Sequence, residues 1–311
     1  MVDRAEALVS LSDGMRASGL RAIPVTGLDR DRNYQAKTAQ VARIDKRGGC
    51  IRLYPSNLAR SSLVEDLDRL LTSLALPPDE ADLIVDYQLI SDFALPYTRL
   101  CQRIPYLSQW RTFTVISGAF SQDLTEYEKN GQYIRDRGDW LFWQSQVAAK
   151  LPRLPAYGDY SIQYALYVEP PERANVSASI RYTAEDYWVI MRGEGLFNER
   201  SPGNAQYAAH AELLCEREEF CGRSFSYGDR YIDNLNNGIE GPGNPETLIR
   251  AGINHHVTLV VDQLSKFPST SIGDAPFLGS NPNQQPPQVE RRLSRGAYNA
   301  GGRPPQARSI E

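Results

Sequence analysis

The sequence predicts an α/β protein: a parallel sheet flanked by helices, then a β-rich segment, then a disordered tail. Three observations carry this. Strand-like apolar runs and amphipathic helical runs alternate through the first half with a period of about 30 residues. Beyond Tyr157 the texture shifts to β-branched and aromatic residues. From Pro268 to Glu311 the chain holds seven prolines and five glycines among few large apolar residues, a composition that cannot offset the entropy of ordering it.

The elements follow in order. Residues 3–18 place Ala5, Leu8, Val9, Leu11 and Met15 at helical spacing, and Gly19 stops the helix. RAIPVTG, 21–27, reads as a strand. Residues 34–46 read as a helix ended by Gly48 and Gly49, and CIRLY, 50–54, as the next strand. Leu63, Leu67, Leu70, Leu71 and Leu74 form the clearest amphipathic helix, with Ser62 and Glu65 as its capping box. ADLIVDY, 81–87, and FTVISG, 113–118, are strands; residues 91–107 are left unassigned, broken by Pro96 and Pro105. Helices are expected at 122–130 and 139–150. Strands are expected at 160–168, 178–183 and 187–192, with a helix at 203–219. The turn-rich segment 222–245 reads as a long loop. Residues 254–267 read as a helix capped by Asn254, with a strand left open by the β-branched residues at 257–261.

Net charge is −4, from 34 Lys plus Arg against 38 Asp plus Glu. The tail carries five Arg against three acids, about +2, which leaves about −6 for residues 1–267. That balance argues against a dedicated nucleic-acid binder and leaves nucleic acid to the basic tail alone. No run approaches the roughly 20 apolar residues that span a bilayer. The acidic start, with Asp3 and Glu6, is not a secretory signal. A cytoplasmic chain with four free thiols is expected. His210, Cys215 and Cys221 match no common zinc spacing, so no metal site is assigned. No motif names a cofactor.

Several runs resemble the phage T4 beta-protein family: PVTGL (24–28), GCIRL (49–53), LIVDYQ (83–88) and ISGAF (116–120), then RDRGDWLFW (135–143), YGDYSI (157–162), SIRYT (179–183), YWVIMRG (187–193), YGDRYI (227–232) and GINHHVTLVVDQL (252–264). The resemblance spans about 20–266. It implies a TIM-type barrel with PVTG, CIRL, LIVD, TVIS and YGDYSI as strands four to eight, followed by a C-terminal elaboration at about 170–267. The family's opening segment is not found at the start of this sequence. The expectation is therefore an incomplete TIM-like barrel in residues 1–267, from an internal start or a fragment. Exposed sheet edges would then invite a protein partner or self-association.

The candidate site residues gather at expected strand ends. Asp86 and Asp159 end strands, where a carboxylate on a barrel rim serves as acid, base or ligand. The plainer readings are a helix cap or ion pair for Asp86 and a turn residue for Asp159. Arg52, a charge on a strand, needs a partner, and Asp86 or Asp159 would supply it. Arg181 and Arg192 would grip an anionic ligand by paired hydrogen bonds, or serve as ordinary salt-bridged arginines. His255 and His256, at an expected helix N-terminus, would offer a neutral imidazole as base. On the expected loop, Asp229 and Tyr231, with Arg230, Asp233 and Asn234 beside them, would cover a ligand or simply stabilise the loop. Two functions compete. The first is a phage- or mobile-element-related accessory or interaction protein, which the resemblance associates with phage–host conflict. The second is a barrel hydrolase acting on a phosphorylated or nucleotide-like ligand. Convergence of these side chains in one pocket would favour the enzyme.

Overall fold

The computed structural model describes residues 3–90, 100–144, 151, 153–169, 175–197 and 199–267. The chain divides into two units, Met1–Thr270 and Ser271–Glu311. The second unit, and with it the expected tail, lies outside the described residues.

In chain order the strands are β1 (Val25–Thr26), β2 (Gly49–Leu53), β3 (Ala81–Leu89), β4 (Thr112–Gly118), β5 (Gly131–Asp136), β6 (Ala156–Asp159), β7 (Ser177–Thr183) and β8 (Tyr187–Gly195). The helices are α1 (Arg4–Ala17), α2 (Arg32–Asp45), α3 (Pro55–Leu58), α4 (Leu63–Leu74), α5 (Gly138–Phe142), α6 (Gln206–Cys215), α7 (Tyr227–Asn236) and α8 (Pro245–Lys266). One sheet has the order β1-β2-β3-β4-β6 with every pairing parallel. A second, antiparallel, has the order β5-β8-β7.

The parallel sheet follows from its residues. Side chains alternate faces along a strand. Ile51 and Leu53 of β2, Leu83 and Val85 of β3, and Phe113 and Val115 of β4 are buried and share one face. The five leucines of α4 at positions 63, 67, 70, 71 and 74 are buried in the same core. Each leucine removed from water contributes about 1.5–3 kcal/mol. The other face carries Cys50, Arg52, Ile84, Asp86, Thr114 and Ile116. Among the described residues neither sheet closes on itself. The expected TIM-like closure is not seen; the sheet is open, and its five strands are adjacent in the order that the resemblance implies.

The antiparallel sheet packs Ala178, Ile180, Tyr182, Val189 and Met191 against Tyr207 and Leu214 of α6, Ile232 and Leu235 of α7, and Leu248 and Ala251 of α8. The hairpin expected at 178–183 and 187–192 is β7 and β8.

Five expectations give way to local hydrogen bonding. Ser62 does not close a capping box; its hydroxyl donates to Asp66 at 2.9 Å. Residues 122–130 are turns, because the Asp123 carboxylate takes the Thr125 N–H at 2.8 Å and competes with a helix. Asn130, at φ 59°, then leads into β5. The strand expected at 160–168 stops at Asp159, whose carboxylate takes the Ser161 N–H at 2.9 Å with Ser161 at φ 55°. The expected loop at 222–245 contains α7, capped by Ser226, whose hydroxyl accepts from the Asp229 N–H at 3.0 Å. Finally α8 begins at Pro245, capped by Asn244, so His255 and His256 lie mid-helix and the N-terminal dipole argument does not apply to them. The exposed Val257 and Val261 are tolerated there at 53% and 62% exposure. Of the expected helix at 139–150, residues 145–150 lie outside the described residues, as do 91–99 of the unassigned stretch.

Candidate functional site

The first cluster lies toward the C-terminal ends of β2 and β3. The register shifts between Asp86 and Leu89, and Gln88 adopts φ 55°. That kink brings the Gln88 N–H to Asp86 Oδ1 at 2.7 Å. Arg52 Nε donates to Asp86 Oδ2 at 2.8 Å, and Arg52 Nη2 donates to the same oxygen. Tyr160 Oη donates to it at 2.6 Å and accepts from Arg52 Nη2 at 2.9 Å. Arg52 thus reaches Asp86 rather than Asp159. The Asp86 carboxylate is fully buried, while the Arg52 side chain keeps 34% exposure.

The second cluster is built where α8 crosses the end of β7. His256 Nε2 lies 2.8 Å from Asp159 Oδ2, and its Nδ1 lies 3.0 Å from Thr183 Oγ1. A carboxylate only accepts, so Nε2 carries the hydrogen and Nδ1 accepts from the threonine hydroxyl. His255 uses the same threonine: its Nε2 donates to the Thr183 carbonyl at 2.8 Å. Its Nδ1 faces Asp229 Oδ2 at 2.9 Å. Both neighbours of His255 are acceptors, so the ring is held between the Asp229 carboxylate and the Thr183 carbonyl. Tyr182 stacks on the ring at 3.8 Å and donates its hydroxyl to Asp229 Oδ1 at 2.7 Å. Gly228 permits the helix contact, since a Cβ there would stand 2.1 Å from the Ala251 carbonyl oxygen.

The electrostatics follow the bonding. Burial pushes the carboxyls of Asp159 and Asp229 up, but their histidine partners outweigh it, and both lie below the ordinary carboxylate range. Among the described residues Asp139 has no such partner. Burial, reinforced by the charge of Asp159, pushes it up to about 7. Its Oδ1 takes the Trp140 N–H at 3.0 Å, and its Oδ2 is buried without a partner among the described residues. The neighbouring Tyr157 hydroxyl is held well above its ordinary range, by burial first and then by the charges of Asp139 and Asp159. Nε and Nη2 of the fully buried Arg137 also have no hydrogen-bond partner among the described residues. Arg137 Nη1 donates to the Glu185 carbonyl at 3.0 Å and to Gln263 Oε1 at 2.9 Å. Thr183, Arg137 and Asp139 do not stand out as site residues in the sequence. The available signal was RDRGDWLFW, where charges flank an aromatic run that has to be buried.

The remaining candidates go elsewhere. Arg181 Nη1 donates to the Ile162 carbonyl at 2.9 Å, its guanidinium lies 4.8 Å from the Phe120 ring, and burial pulls it down to about 10. Arg192 bonds the Tyr127 carbonyl and Ser177 Oγ. The two arginines therefore share no ligand position. Tyr231 is a core residue whose hydroxyl donates to the Gly241 carbonyl at 3.2 Å. Asp229 is fully buried in the first turn of α7, not on a covering loop. Arg230 stacks on Tyr227, and Asp233 pairs with Arg223, which also bonds Asn234. Among the described residues no three His, Cys, Asp or Glu side chains are grouped to hold a metal, and no helix is long and apolar enough to cross a membrane.

A groove of about 770 Å³ passes Thr183, Glu185, Asp186, Glu218 and Asp262, with Trp140 and Phe267 among its walls. Asp262 is paired with Lys266 at 2.5 Å. Thr183 borders this groove but is itself fully buried.

A family model described as Beta protein matches residues 1–262. No curated protein and no solved structure matches the chain.

Proposed function

The chain belongs to the beta-protein family, and from that premise we propose that it is a non-catalytic accessory protein that acts by binding a partner. The single observation behind this reading is the fate of the candidate catalytic groups. Asp86, Asp159, Asp229, His255 and His256 fall into separate pairs, each satisfied inside the protein. A hydrolase needs a nucleophile, a base and a charge stabiliser converging on one substrate position. The nearest approach to that is Thr183–His256–Asp159, whose spacing suits a relay. Thr183 has no exposed surface, so a substrate carbonyl or phosphoryl group does not reach its hydroxyl.

The binding face we favour is the side of the parallel sheet opposite α4. Parallel sheets are ordinarily covered on both faces. Here Val25 is 40% exposed, and Arg52, Ile84, Thr114 and Ile116 are half-buried. We read the open sheet as a barrel segment, and a second copy or another protein as the cover for that face. The phage-side setting of this role rests on family resemblance.

A photo-crosslinker at position 25, followed by mass spectrometry in the native cells, tests the reading. A discrete adduct with one protein, or with a second copy, is expected. No adduct, together with ester or phosphomonoester turnover that His256→Ala abolishes, would establish the hydrolase instead.

A further inference from the structure

Beside Arg52, the loops that follow β1 and β2 enclose a cavity of about 170 Å³. We propose that this cavity binds a phosphate group, a site that goes beyond the partner-docking reading and does not depend on it.

Four features converge on one chemistry. First, two arginine–tyrosine pairs line the cavity: Arg30 lies 5.1 Å from the ring centroid of Tyr34, and Arg52 lies 5.2 Å from that of Tyr54. Stacking on a ring occupies the flat face of a guanidinium and leaves its N–H edge for an oxyanion. Second, those edges are available. Arg52 turns Nε and Nη2 to Asp86, and its Nη1 has no partner among the described residues. The Arg30 guanidinium has no hydrogen-bonded or ionic partner among them. Third, a neutral donor stands beside the charges: the Tyr34 hydroxyl has no partner among the described residues. Fourth, the opposing charge is already engaged: Asp29, on the cavity wall, is bonded to Asn57 at 2.8 Å and to Arg60.

The backbone allows the close approach. A Cβ on Gly27 would stand 2.6 Å from the Arg52 carbonyl oxygen, so only glycine lets the β1 loop lie against β2 here. The place is also the expected one, since α/β sheets bind ligands beyond the carboxyl ends of their strands. Size narrows the ligand. Pockets for whole drug-sized molecules start at about 300 Å³. This cavity holds one charged group, with the rest of the ligand in solvent. At a net charge of −4 the protein does not attract anions generally, so binding is local and geometric. Arg52 stays fixed by Asp86 and Tyr160, and Arg30 closes over the anion from the exposed side.

Isothermal titration of the full chain with inorganic phosphate, with glycerol 3-phosphate and with glycerol tests this. Saturable binding near about 1 mM or tighter is expected for phosphate or its ester and none for glycerol. A tighter ester identifies a phosphomonoester as the ligand, and a tighter free ion identifies phosphate itself. Arg30→Ala, at an exposed position, should weaken binding about tenfold. Tyr34→Phe should weaken it about three-fold with the melting temperature unchanged. Absence of binding for both phosphate probes would overturn the proposal, as would equal affinity in the wild type and both variants.

Discussion

The two polar clusters of this protein use the same kinds of side chain in opposite environments. At Asp86 a buried carboxylate faces an arginine that is one-third in water. At Asp229 and His255 both partners are at most 1% exposed. The first pair can be repaired by solvent when one member changes, because the guanidinium already touches water. The second cannot. A charge buried with one partner depends wholly on that partner. Position relative to solvent therefore decides what each pair does. The Arg52 cluster leaves a guanidinium edge for a ligand, and the His255 cluster joins α7 and α8 to the end of β7.

The largest effect should come from breaking the deeper pair. Asp229→Asn keeps the shape and the Ser226 cap but takes the carboxylate away from His255 Nδ1 and the Tyr182 hydroxyl. Removing one partner of a buried pair costs about 3–5 kcal/mol. Chemical denaturation should show that loss at neutral pH. A loss as small as an exposed pair gives, about 0–1 kcal/mol, would mean that the two clusters do not differ in kind.

Asp139 sharpens the contrast through pH. Its carboxyl is pushed up to about 7 from an ordinary value of 3.8, by burial and then by Asp159. The folded state therefore holds this proton more tightly than the unfolded chain does. Its contribution is fully present below about pH 4 and is lost as pH rises to about 7. Asp159 and Asp229 act in the opposite sense, since their lowered values put their loss of stability in more acidic solution. Asp139→Asn should thus remove a decline of a few kcal/mol between about pH 4 and pH 7. Unfolding curves of wild type and variant that stay parallel across that window would show that Asp139 is ionised throughout it.

The sequence made the parallel sheet legible and the second cluster mostly not. The leucines of α4 and the strands Gly49–Leu53, Ala81–Leu89 and Thr112–Gly118 announce themselves by period, because one face of each is dry. Arg52 on a strand demanded a partner, and Asp86 is that partner. What stayed hidden was decided by single side chains closing local hydrogen bonds. The Ser226 cap turns an apparent loop into α7, and the Asn244 cap starts α8 ten residues before the expected Asn254. Without those caps the pattern sets the two histidines at a helix end beside a covering loop. Thr183 was invisible for a different reason: it is an ordinary strand residue whose importance comes from two elements meeting at its carbonyl and its hydroxyl.

The smallest effect should be at the shallower cluster. Tyr160→Phe removes one hydroxyl that donates to Asp86 at 2.6 Å and accepts from Arg52 at 2.9 Å. The carboxylate keeps two arginine N–H groups and the Gln88 N–H. Arg52 keeps its solvent contact. The net loss should be about 0.5–1.5 kcal/mol, the usual worth of one hydrogen bond, measured by denaturant midpoint at constant slope. The same variant loosens the arginine that borders the phosphate cavity, so phosphate affinity should fall along with stability. A stability loss without any change in phosphate affinity would show that Asp86 alone positions Arg52. A loss of several kcal/mol would show that water does not reach this cluster, and the difference between the two regions would then lie in their bonding rather than in their exposure.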